Sequence, residues 1–357
     1  MFETELTRML KIRYPLFQAP MAGGPTTPAL VAAVSNAGGL GNLGAGYLAP
    51  EQLRDEIRKI RELTDQPFGV NLFVPEREEE LEETAVQMTD YLNQYRIQLG
   101  IPQSPSILKS SESFEEQVQV LLEEKIPVFS FTFGVAPHDV IQAMKQRGTV
   151  VIGTATTVAE AEHLQVAGVD AIVAQGYEAG GHRGTFLNKV AQSLIGTMAL
   201  VPQIVDYVSI PVIASGGIMD GRGLVASLAL GAAAVQMGTA FLACSESGAH
   251  EVYKQKIVTA NEDSTDITCA YSGKAARGIR TTFMNDMQQY SGAIPPYPIQ
   301  NAMTRDIRQA AAKANNPEFM SLWAGQGLRL AKNRTAAEIV QQTMEQANSL
   351  VRKSFLN

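Results

Sequence analysis

The sequence predicts a closed (β/α)8 TIM barrel with inserted segments capping its C-terminal face. Three observations predict it. Short apolar runs recur without polar alternation, each run is followed by a Gly-rich or polar turn, and a segment of helical period comes next. Parallel strands buried on both faces read this way. Eight such runs are present: Leu16–Met21, Gly39–Gly44, Phe68–Val74, Val128–Gly134, Val150–Thr156, Ala171–Gly176, Val212–Gly217 and Ala233–Phe241. A chain of 357 residues accommodates a barrel of about 250 residues with insertions. An open doubly wound sheet fits less well, because the first strand leads into Gly23-Gly24-Pro25 rather than a GxGxxG turn that opens a helix.

The helices carry their own start and stop signals. Thr27 caps a helix with Pro28 at its first position, and Gly38-Gly39 closes it. Pro50 opens a second, whose Leu53, Ile57 and Ile60 share one face. Thr157 with Glu160 forms a capping box before a helix ended by Gly168, and Thr335 with Glu338 repeats the device near the C-terminus. The uncharged run Leu224 to Cys244 is long enough to span a bilayer, yet Gly231 splits it into a buried helix and a buried strand. Two stretches break the rhythm, at about 75–116 and 250–333, and the second contains Pro295-Pro296-Tyr297-Pro298, which cannot be regular helix. Both are expected to form a cap on one barrel domain spanning 1–357.

Composition narrows the function. Hydrophobic residues make up 45% and charged ones 18%, so the chain is globular. Net charge is −7, and the 29 Lys and Arg are scattered, which argues against a nucleic-acid partner. Cys244 and Cys269 follow neither metal nor redox spacing, and Met1 to Leu10 lacks a basic segment followed by an apolar stretch. A cytoplasmic protein, with no membrane partner, is the expectation.

Barrel enzymes place function at the C-terminal ends of their strands. The seventh strand ends in Ser215-Gly216-Gly217-Ile218 and the eighth passes through Gln236-Met237-Gly238-Thr239. Adjacent backbone N–H groups there, with the start of a short helix, form the phosphate site typical of the fold. The sixth strand runs into Gln175-Gly176-Tyr177-Glu178-Ala179-Gly180-Gly181-His182-Arg183-Gly184, a loop able to approach a flat ligand and aim one imidazole into the barrel mouth. His138, His163 and His250 sit at helix or insertion positions and read as structural. Asn71, Gln175 and Gln236 put three amides at strand ends, and a buried amide must bond to backbone, water or ligand. No His, Cys, Asp or Glu cluster has ligand spacing, so no metal is expected. A phosphate at strands seven and eight with inward amides points to FMN, with His182 as the catalytic residue. Arg183 suits either pinning a substrate carboxylate or stacking outside the barrel. Lys274 is a candidate for the phosphate or flavin edge, while Tyr297 and Trp323 read as cap packing.

Five segments carry a family resemblance: Gln18-Ala19-Pro20-Met21-Ala22-Gly23-Gly24, Ala37 to Gly41, Gly69-Val70-Asn71-Leu72-Phe73, Gln175 to Gly184, and Ser215 through Thr239. Together they resemble nitronate monooxygenase, formerly called 2-nitropropane dioxygenase, over almost the whole chain. The resemblance implies FMN contacts from Asn71, Gln175, Gly180, Gly217, Gln236, Met237, Gly238 and Thr239, with His182 as the active-site histidine. It implies oxidation of a small-molecule alkyl nitronate, propionate 3-nitronate in particular, by FMN and O2 to a carbonyl compound plus nitrite and nitrate, a detoxifying role. The alternative is flavin-dependent enoyl-acyl-carrier-protein reductase, a related barrel with a similar Glu-Ala-Gly-Gly-His stretch; Arg183 and the two long insertions favour the nitronate enzymes.

Overall fold

The computed structural model describes residues 2–75, 82–103 and 111–355. Eleven strands appear in chain order among them: β1 (Leu16–Gln18), β2 (Gly41–Gly44), β3 (Phe68–Phe73), β4 (Val128–Thr132), β5 (Val150–Ala155), β6 (Ala171–Gln175), β7 (Gly181–His182), β8 (Val212–Ser215), β9 (Ala234–Met237), β10 (Thr265–Thr268) and β11 (Ala276–Ile279). Eight form one parallel sheet in the order β1-β9-β8-β6-β5-β4-β3-β2, and a parallel bridge between Phe17 and Leu40 joins its two ends. This is the (β/α)8 barrel.

The strands are shorter than the apolar runs suggest. The run Leu16–Met21 leaves the sheet after Gln18, and Ala233–Phe241 is strand only to Met237 before a short helix, Thr239–Leu242. Apolar composition marks burial, and buried turns and helix starts share it. Leu224 to Cys244 does divide into helix Gly221–Ala229 and then β9. Among the described residues no helix is long and apolar enough to cross a membrane.

Alternation along the strands builds two cores. Outward residues such as Val70, Leu72, Phe129, Phe131, Ile172, Ala174 and Val235 pack under the surrounding helices. Inward residues Phe17, Val128, Ile152, Ala171, Val173, Ile213 and Ala234 fill the barrel's lower half, together with Leu6 and Leu10 of helix Glu5–Leu10, which plugs that end. One or two inward positions further along six of these strands the side chains turn polar, as Asn71, Ser130, Thr132, Thr154, Gln175, Ser215 and Gln236. The upper half therefore holds a cavity with a hydrogen-bonding floor.

At the β1–β2 seam side chains supply what the short strands cannot. Asn42 N donates to Gln18 Oε1 at 3.0 Å, Gln18 Nε2 to Asn42 O at 3.1 Å, and Asn42 Nδ2 to Gln18 O at 2.8 Å. Asn42 fits only because position 69 is glycine, since a Cβ there would fall 2.0 Å from its Oδ1.

The capping signals hold with one change. Thr27 Oγ1 accepts from Leu30 N, and Thr335 and Glu338 cap each other reciprocally. Thr157 accepts from Glu160 N, but the buried Glu160 carboxylate turns away from Thr157. It accepts instead from Thr156 N and Oγ1, from Thr185 Oγ1, and from the N–H groups of Phe186 and Leu187. Five donors outside the helix outcompete one cap contact.

Of the insertion at 75–116, residues 76–81 and 104–110 lie outside the described residues; helix Glu82–Gln98 within it packs on the later insertion. Arg96 Nε pairs with Asp306 at 2.8 Å and its Nη2 donates to Met303 O at 2.8 Å. In the segment 250–333, β10 and β11 run antiparallel and β11 pairs antiparallel with β7, placing Ala276 opposite His182.

Candidate active site

The loop that follows β6 is held by its own side chains. Gln175 Nε2 donates to His182 O at 3.0 Å, and Gln175 Oε1 accepts from Gly184 N at 2.8 Å, so one amide joins both ends. Arg183 is completely buried beneath it, donating from Nη1 to Gly176 O at 2.6 Å and from Nη2 to Gln175 O and Ser193 O. Burial lowers its pKa to about 10, which leaves it charged at neutral pH. Arg277 of β11 stacks over the Tyr177 ring at 4.3 Å and donates to Tyr177 O. Arg183 therefore neither reaches a substrate nor stacks outside the barrel: it positions the loop.

Glycine is required at two loop positions. Gly181 has φ +74°, and a Cβ on Gly180 would lie 2.5 Å from the backbone of Ala324 and Gly325. Glu178 lines the cavity, but its carboxylate caps helix Thr197–Tyr207, accepting from Thr197 N at 2.9 Å and Thr197 Oγ1 at 2.8 Å. Its charge faces the helix's positive end.

His182 projects into a ring of aromatics. Its imidazole centroid lies 5.7 Å from Phe133, 6.0 Å from Tyr297 and 5.5 Å from Trp323. Its Nε2 meets Ser272 Oγ at 2.8 Å, and that hydroxyl lies 3.1 Å from Lys274 O. A serine hydroxyl carries one proton; given to the carbonyl, it leaves Ser272 as acceptor and His182 as donor at Nε2. A neutral imidazole in this arrangement carries its proton at Nε2 and its lone pair at Nδ1. Burial, then the charges of Lys274 and Arg308, hold its pKa down to about 3, well below the ordinary 6.5.

One cavity collects Asn71, Gln175, Gly180, His182, Gly217, Gln236, Gly238 and Thr239. Met237 stands apart: its side chain belongs to the outer core, and its carbonyl accepts from Ala19 N. Asn71 Nδ2 donates to Ser130 Oγ at 3.0 Å across β3 and β4. Thr239 Oγ1 accepts from Gly325 N at 2.9 Å, joining the eighth strand's turn to the second insertion. His138, His163 and His250 lie outside the cavity lining, and His250 caps helix Glu251–Thr259. Lys274 sits with its ammonium 4.7 Å from the Phe133 ring centroid.

Sequence reasoning missed Ser272, Phe133 and Tyr47, and assigned Trp323 to packing although it lines the cavity. Ser272 and Trp323 come from loops of the insertion, where no period marks which side chain faces inward. Phe133 was legible only as the end of an apolar run.

Comparison with known proteins gives a consistent answer. The family model described as nitronate monooxygenase matches residues 3–346. The chain is 47% identical over 352 residues to a probable nitronate monooxygenase of Staphylococcus haemolyticus (strain JCSC1435), covering 98% of both chains. It is 48% identical over 350 residues to a protein of the same description from Staphylococcus aureus (strain MSSA476), again covering 98% of both. Among solved structures, nitroalkane oxidase from Streptomyces ansochromogenes superposes with a TM-score of 0.89 at 37% identity, over 97% of this chain and 99% of that one. FabK from Thermotoga maritima superposes less closely, with a TM-score of 0.78 at 34% identity over 99% and 98% of the two chains. The protein belongs to the nitronate monooxygenase family and is an oxidoreductase of the barrel fold.

Proposed function

We propose that this enzyme binds FMN in the barrel mouth and oxidises alkyl nitronates with O2 to a carbonyl compound plus nitrite and nitrate. Propionate 3-nitronate is the substrate we favour, the role detoxification, and the setting the cytoplasm. The floor of the cavity fits the cofactor. Gln236 lines it with a side-chain amide that bonds to no described residue, and no described donor reaches Asn71 Oδ1. Gly216 and Gly217, at φ +120° and +70°, keep the turn after β8 free of side chains where a phosphate would sit, with Gly238 and Thr239 beside it. When bound, the flavin supplies electron acceptance and reaction with O2. Gln175 supports this site at one remove, by fixing the loop that carries Gly180 and His182.

The observation that carries the choice of substrate is the setting of His182, an imidazole enclosed by Phe133, Tyr297 and Trp323 with Ser272 Oγ at its Nε2. Removing the α-proton of a neutral nitroalkane calls for a base with a pKa near the working pH. Burial in that setting, with the charges of Lys274 and Arg308, pushes the His182 pKa well below its ordinary value and makes it a poor base for that step. A nitronate arrives already deprotonated, so it asks of the protein only binding and orientation against the flavin. The fixed charges of Lys274 and Arg308 that disfavour an imidazolium also favour an anionic substrate.

The test compares nitrite release from a pre-formed nitronate with release from its freshly dissolved parent nitroalkane. The nitronate is expected to turn over at least about a hundredfold faster than the nitroalkane. Equal rates with both forms would contradict the assignment.

A further inference from the structure

The chain breaks its alternation immediately after strand β4. Along it the side chains alternate: Val128, Ser130 and Thr132 face the barrel interior, while Phe129 and Phe131 pack outward in the helix-covered core. Alternation sends the next residue, Phe133, outward as well. Instead its φ is +77°, and its ring lines the same cavity as Thr132. The other non-glycine residues with positive φ, among those described, are Lys11, Lys125 and Asn315, all at the ends of helices where a left-handed residue closes the last turn. Phe133 alone takes it at a strand end, and a bulky aromatic in this region is strained.

The surroundings hold it there. The ring contacts Phe73 at 4.6 Å, Tyr297 at 5.6 Å and, edge-on, His182 at 5.7 Å. Lys274 covers it from the inserted segment. The backbone reversal thus brings one extra aromatic wall into the cavity, directly beside the active-site imidazole.

We propose that Phe133 is turned into the cavity to limit the substituents on the substrate's reacting carbon, so that the site takes nitronates of short, unbranched chains. The inference rests on the nitronate reading above. A wall of fixed aromatic rings resists displacement by a bulky group, and one or two methylenes misfitted in such a pocket alter kcat/KM by about 10–200-fold.

The test measures kcat/KM for ethyl nitronate and for cyclohexyl nitronate in the wild type and in Phe133→Leu, Phe133→Ala and Phe133→Gly. The ratio of cyclohexyl to ethyl nitronate is expected to rise about tenfold or more in the Ala and Gly variants and less in Leu. Melting temperatures provide the second readout. Gly adopts positive φ without a Cβ penalty, so Phe133→Gly is expected to melt above Phe133→Ala even though both lack the ring. An unchanged ratio in folded variants, as judged by melting, overturns the wall. A Gly variant that melts no higher than the Ala variant overturns the claim of a strained backbone holding it. A wild type active on ethyl nitronate separates these failures from failure of the nitronate reading; a wild type inert toward both nitronates overturns that reading and the specificity claim together.

Discussion

The floor and the roof of the cavity are built by different means. The floor is made of strand residues, Asn71, Ser130, Thr132, Thr154, Gln175, Ser215 and Gln236, whose direction follows from the two-residue period of a strand. The roof is made of loop residues, with Ser272 and Tyr297 beside His182 and Trp323 lining the cavity, held by specific bonds rather than by a repeating ladder. A barrel floor tolerates many chemistries because its backbone is fixed in advance. The roof sets the surroundings of the imidazole: it places Ser272 Oγ at His182 Nε2 and the rings of Tyr297 and Trp323 beside it.

The two halves meet at the loop from Gln175 to Gly184, so changes there separate their contributions. The largest effect is expected from Arg183→Met. It removes the Arg183 donors to the buried carbonyls of Gln175, Gly176 and Ser193; Gly176 O keeps a bond from Ala179 N, and an orphaned carbonyl costs about 1–3 kcal/mol. Denaturant unfolding should show a loss of about 2–4 kcal/mol, on the scale of one or two buried carbonyls left without a donor. A loss under about 1 kcal/mol would mean that the loop is held by the roof alone.

Gly180→Ala attacks the contact between the halves. Its new Cβ would lie 2.5 Å from backbone atoms of Ala324 and Gly325, which have no side-chain freedom to yield. Overpacking of this kind costs about 1–3 kcal/mol, and the displaced loop should lower kcat/KM on nitronate about a hundredfold, since small misplacements of catalytic groups cost that much. Wild-type kinetics in this variant would show that the roof moves freely over the floor.

A smaller effect tests the state of His182. Its pKa is about 3 in the fold against 6.5 ordinarily, so between those values the unfolded chain binds a proton that the folded chain does not. The stabilisation is present in full above about pH 6.5 and is lost progressively as pH falls toward the folded value. Wild-type stability should fall more steeply than that of His182→Asn between about pH 7 and pH 4. Parallel curves would show that His182 titrates in the fold as it does in water. The smallest effect belongs to the outer surface of the roof, where Arg329 and Glu262 form an exposed pair; Arg329→Ala should leave the melting temperature and the kinetics unchanged.

How much of this was legible in the sequence follows the same division. Uninterrupted apolar runs located all eight barrel strands, because burial on both faces removes polar alternation. Their ends were overextended where a buried turn or helix start is as apolar as the strand, as after Gln18 and Met237. Asn71, Gln236 and the Gly-rich turns could be found as polar or flexible residues out of place in a strand. Gln175 was found the same way, yet its amide is committed to the loop's own backbone. Ser272 could not be found, because its contact with His182 spans ninety positions and depends on the β7–β11 pairing. Arg183 illustrates the remaining limit. An arginine beside a pocket histidine suggests substrate binding, and only the burial of its side chain reveals a structural role.

The central claim, that this site couples a bound flavin to nitronate oxidation, is tested most directly by following the visible spectrum of the purified protein under anaerobic conditions. Propionate 3-nitronate and NADH are added to separate samples. The account predicts a flavin band that bleaches or changes with the nitronate and stays unchanged with NADH. Rapid bleaching by NADH with no response to the nitronate, or a protein without a flavin band, would contradict it.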